Sequence, residues 1–190
     1  MKSELNIPWE RYGLIAELTD RLKELSPQFG KTILQKMVYL LQEAYGVDCG
    51  YSFNLYTYGP FTSQIMQDLD MVESLRGVKI NSVDFPSNGY TITPGERNID
   101  VREQVAEFLK RNNVSNSLSK LIKVFGKLNA TQLSLLSTIL YVVRDMEKER
   151  QSLSREKLIN MVKEIKPNFS EQDIYDNVTM LESEDIISLN

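Results

Sequence analysis

Histidine is missing from all 190 residues, and cysteine occurs once, at Cys49. Without imidazole there is no Ser-His-Asp triad and no Cys-His pair. A zinc site would lack both its imidazoles and enough thiolates. General acid–base work near neutral pH would fall to carboxylates, lysines or tyrosines with displaced pKa values. One cysteine forms no intrachain disulfide and gives no sign of an oxidising compartment; Cys49, without a base beside it, reads as a structural thiol. No apolar run approaches the roughly 18 residues of a membrane span, and MKSELNIPWERYG carries no apolar signal core. A cytoplasmic protein without a membrane partner is therefore expected. Gly-rich phosphate loops, a P-loop lysine, fixed-period repeats and low-complexity tracts are all absent. No cofactor and no metal are expected.

The chain does contain enough apolar residue, 42%, to bury a core. Its net charge of −4 and pI near 5.1 argue against wholesale electrostatic attachment to nucleic acid. The organising stretch is Lys31 to Phe61. Ile33, Leu34, Met37, Val38, Leu41, Ala44 and Tyr45 form one broad helical face, and Leu40 widens it, so neighbours should cover the helix on most sides. Gly46 is placed to end it. Tyr51, Phe53 and Leu55 then alternate with polar residues as in a short strand, which Tyr58-Gly59-Pro60-Phe61 should stop.

A first helix is expected from Pro8 to Leu25, capped by Asn6, with Ile15, Leu18, Leu22 and Leu25 inward. Thr62 or Ser63 caps a third helix reaching about Arg76, closed by Gly77, with Ile65, Leu69 and Val72 inward. Val78–Val83 and Tyr90–Thr93 read as strands around a Pro86-Ser87-Asn88-Gly89 turn. Helix, helix, strand, helix, hairpin is the outline of a winged helix-turn-helix unit over residues 1–95. A polar break separates it from a helical half, 99–190. There, Val101 to Arg111 reads as a helix and 112–117 as a turn. Leu118 to Phe125 is the next helix. Asn129 with Gln132 caps a strongly apolar helix, Ser154 caps another, and Ser170 with Asp173 caps the last. Ile186 and Ile187 suggest a terminal strand. The fold class predicted is mostly α with a small antiparallel β element, a winged-helix-like or helix-turn-helix-like bundle.

Leu34-Gln35-Lys36-Met37-Val38-Tyr39-Leu40, then Tyr56-Thr57-Tyr58-Gly59-Pro60-Phe61, then Asp68-Leu69 resemble the YwgA-like proteins and the related Panacea (SocA-like) antitoxin domain. The resemblance covers residues 31–69. It implies a helical, winged-helix-like fold, with either no assigned activity or, for Panacea proteins, neutralisation of a toxin by direct contact. The long chain beyond the motif favours the YwgA-like side.

The reading is a non-catalytic protein-interaction or regulatory module, with a winged-helix DNA-binding regulator as alternative. The partner surface is placed at Tyr56, Tyr58, Phe61, Gln64 and Gln67, because aromatics with polar tips anchor interfaces. Asp68, Asp70 and Glu73 on the third helix would repel phosphate, as would the last helix: residues 170–190 hold six acids and no Lys or Arg. Residues 101–169 hold 13 basic and seven acidic residues, a net of +6. Lys110, Arg111, Lys120, Lys123 and Lys127 could form a basic surface. That segment and the acidic tail could pair within one molecule or between two, which leaves a homodimer open.

Overall fold

A computed structural model describes residues 7–83 and 89–189. The protein is mostly helical with small antiparallel β elements. Helix α1 spans Trp9–Leu22 and α2 Lys31–Tyr45. A short ribbon follows, β1 (Asn54–Tyr56) paired with β2 (Gly59–Phe61). Then come α3 (Ser63–Ser74) and a longer hairpin, β3 (Val78–Val83) with β4 (Gly89–Pro94). The remainder is helical: α4 (Asn98–Glu103), α5 (Ala106–Lys110), α6 (Val114–Phe125), α7 (Ala130–Lys148), α8 (Arg155–Ile165) and α9 (Glu171–Ser183). Among the described residues no helix is long and apolar enough to cross a membrane. The expected cap at Asn6 and the turn residues Pro86 to Asn88 lie outside the described residues.

Helix α2 is the hub. Ile33, Leu34, Met37, Val38, Leu40 and Leu41 are all buried, and α6 and α7 of the later half pack on it. Gly46 ends it at φ +66°, its N–H bonding the Gln42 and Leu41 carbonyls. The described residues of 1–95 and of 99–190 share one hydrophobic core, through residues such as Leu41, Phe125 and Ile139. The polar break between them is a turn that brings α4 back onto α1, where the Asn98 side-chain amide donates to the Ala16 and Gly77 carbonyls.

Several local expectations are corrected. Leu25 is exposed, because α1 stops at Leu22 and three turn residues follow. The left-handed residue after α3 is Arg76, φ +59°, rather than Gly77, which is small because a Cβ there would meet Val72 at 2.9 Å. The helix from Val101 to Arg111 is broken into α4 and α5, although Val101, Val105 and Phe108 are all buried as expected. The Asn/Ser-rich turn is mostly helix: α6 begins at Val114, after Asn113 in the left-handed region. Ile186 and Ile187 are buried without forming a strand, and the Ile186 carbonyl accepts from Arg144 instead. The capping boxes at Asn129/Gln132 and Ser170/Asp173 form as the sequence spells them.

Candidate functional site

The expected strand from Tyr51 is replaced by something shorter. The Gln42 side-chain amide bonds both the carbonyl and the N–H of Tyr51, so this backbone is satisfied without a partner strand. Pairing begins at Asn54. The strand does stop before Tyr58, at Tyr56, but Gly59-Pro60-Phe61 then pairs back as the return strand, with Leu55 opposite Pro60 and Tyr56 opposite Gly59. Proline has no N–H, so Leu55 and Pro60 form the non-hydrogen-bonded pair, and the Pro60 carbonyl points away from β1. Gly59 sits at φ +90°, and a Cβ there would lie 2.8 Å from Thr138 Oγ1 on α7. Only glycine lets the ribbon approach α7 this closely.

Two lysines hold the ribbon. Lys36 Nζ on α2 donates to the Pro60 carbonyl at 2.6 Å. Lys166 Nζ, just after α8, donates to the Thr57 carbonyl at 2.7 Å and to Ser134 Oγ at 2.9 Å. Ser134 in turn donates to the Tyr58 carbonyl at 2.8 Å, and the Gln35 amide bonds both backbone groups of Thr62. Both lysines are buried, and every acceptor here is neutral. Burial, with the nearby Lys166 charge, pulls the Lys36 pKa down to about 8. Burial also lowers that of Lys166.

On this fixed frame the aromatic tips point out. Tyr58 is 73% and Tyr56 60% exposed. Tyr56 packs edge-on against the half-buried Phe61, ring centres 5.5 Å apart. Tyr58 separates two grooves. One, about 320 Å³, lies against α2 and includes Lys31, Gln35, Lys36, Tyr56, Phe61 and Met66. The other, about 770 Å³, lies against α7 and the α8–α9 turn and includes Ser134, Lys166, Pro167 and Phe169. Gln67 is exposed. Gln64, half-buried, donates to Asp68 rather than facing the grooves.

The expected basic surface is divided. Lys110 pairs with Glu107 and Arg111 with Glu10. Lys120 and Lys123 share a groove of about 690 Å³ with Glu184 and Asp185, and Lys127 is exposed. On α3, Asp68 is buried, where it accepts from Tyr51 at 2.7 Å and pairs with Arg11 at 3.0 Å. Glu73 accepts the Ile80 N–H. Cys49 is buried, its thiol pushed up to about 12 by desolvation and by Asp48. No group of three metal-ligating side chains occurs among the described residues.

Sequence reasoning missed Lys36, Lys166 and Ser134. For Lys36 a signal was present: it falls three residues after Ile33 and four before Leu40, on an apolar face. Lys166 stands four residues after Val162 in the same way. Compared with protein-family models and with curated proteins, the chain matches none. The YwgA-like resemblance therefore rests on the motif alone.

Proposed function

We propose that the protein is a non-catalytic regulatory module that docks a protein partner on the Tyr56–Phe61 ribbon, in the manner of an antitoxin-like or YwgA-like winged-helix protein. The observation that carries this reading is the exposure of Tyr56 and Tyr58 on a backbone held by Lys36, Lys166 and Ser134. Large amphipathic rings on a preordered turn contribute contact area with little entropy to lose on binding. Affinity capture with wild type and Tyr58→Ala tests it. Since Tyr58 is exposed, the variant keeps its fold, checked by circular dichroism, and loses the partner. Recovery of the same partners by both would place the surface elsewhere.

A DNA-binding regulator is the second reading. It is favoured by the order of α1, α2, α3 and the β3–β4 hairpin, and by the withdrawal of Asp68 and Glu73 into internal bonds. It is disfavoured by the division of the basic residues. Titration of labelled duplex pools across a salt series decides it. Sequence-selective retention at ~150 mM salt, where phosphate-driven attachment fades, would promote this reading.

A further inference from the structure

The α2-side groove has a polarity that the docking reading does not explain. Its rim and floor carry Lys31 and Lys36, and among the described residues no Asp or Glu lines it. Lys31 stands over the Tyr90 ring, 4.0 Å from its centre, so its charge is held on the rim without a carboxylate. Lys36, 2% exposed, spends one of three ammonium protons on a neutral carbonyl. The charge that bears on it is another cation, Lys166. A buried ammonium without an anion is an expensive arrangement, and the buried carboxylates of this protein, Glu17 and Asp68, do have guanidinium partners. Tyr56, Phe61 and Met66 give the groove an apolar, aromatic surface beside the polar Thr32, Gln35 and Thr57.

We infer that this groove receives an acidic segment of the partner protein, an Asp or Glu turned toward Lys36 and Lys31 with an adjacent apolar side chain laid on Tyr56 and Met66. The inference rests on the docking reading and adds the chemistry of the docked chain. Charge complementarity selects the carboxylate. The open form of the groove selects a chain rather than a small molecule, which would need most of its surface enclosed; its Tyr58 wall stands 73% in solvent. The outer edge of β1 has no partner strand among the described residues, so an extended segment can also pair its backbone there.

The test is selection of short peptides from a random display library on the full chain, followed by affinity measurement on the selected peptides. Acidic-apolar sequences should be enriched. Replacing their Asp or Glu by Asn or Gln should weaken binding to the wild-type protein by at least about tenfold, and Lys36→Met should weaken the parent peptides similarly. The peptide-side substitution keeps the test valid if Lys36→Met alters the fold. If selected peptides depend on Tyr58 but are neutral or basic, or ignore the Asp→Asn change, the inference falls and the docking reading stands. If they bind Tyr58→Ala as well as wild type, or if none is selected, both fall.

Discussion

Buried charge is handled in two ways in this protein. Beneath α1, Glu17 is 4% exposed and meets Arg21 and Arg102, each at 2.6 Å. Asp68 meets Arg11, Tyr51 and Gln64. Each of these carboxylates has a guanidinium partner, and the pairs tie α1 to α3 and α4. At the β1–β2 ribbon, by contrast, Lys36 and Lys166 face carbonyl and hydroxyl oxygens and repel one another. The first arrangement is what a fold needs to bury polar atoms. The second leaves positive charge short of an anion beside an exposed aromatic tip. That asymmetry sets the ribbon apart from the paired region.

The comparison can be broken most severely at Asp68. Asp68→Ala leaves Arg11 and the Tyr51 hydroxyl without their acceptor and should cost about 3 kcal/mol in denaturant unfolding. A loss well below 1 kcal/mol would mean that the paired region is not structural.

Lys36→Met should behave in the opposite way. The lysine carries a folded-state pKa of about 8 against an ordinary 10.5. The unfolded chain therefore holds more protons between those values, and wild-type stability should gain up to ~3 kcal/mol from this group as pH rises through them. Below pH 8 the penalty of the buried charge is present in full. Cys49 and the buried tyrosines Tyr39 and Tyr51 act in the other sense, because burial raises their pKa values and the unfolded forms ionise first. The difference between wild type and Lys36→Met cancels them. At pH 7 the variant should be at least as stable as wild type, and the difference should move against it between pH 8 and 10. A flat difference would mean that burial does not shift Lys36.

Gly59→Ala should cost about 2 kcal/mol, from a strained φ and the close approach to Thr138. Thermal unfolding measures it, and a neutral result would mean that the ribbon is not seated on α7. Smallest of all, Tyr58→Ala should change stability by less than about 0.5 kcal/mol while abolishing partner capture. A large loss would turn Tyr58 into a packing residue.

What the sequence disclosed follows the range of the interactions involved. Gly46, Asn129 with Gln132, and Ser170 with Asp173 act within one helical turn, so their roles can be read from neighbours. The buried faces of α2 and α7 are legible because periodicity alone marks them. The return strand is not legible because proline and glycine usually punctuate strands. Here a side-chain amide from Gln42 takes over the backbone of Tyr51, and lysines serve the outer carbonyls of Thr57 and Pro60, so a return strand tolerates both residues. Tyr56 and Tyr58 stand out in the sequence by their chemistry, and both are exposed. Lys36, Lys166 and Ser134 were passed over because they meet only in space.

The bond from Lys166 to the Thr57 carbonyl joins residues 109 positions apart. During synthesis at ~5–20 residues per second, roughly 5 to 20 seconds separate the appearance of Thr57 from that of Lys166. Ser134 is made 32 residues before Lys166, so the serine becomes available to the ribbon first and the second lysine last. A nascent chain therefore completes the clamped ribbon late, only after α8 has been made.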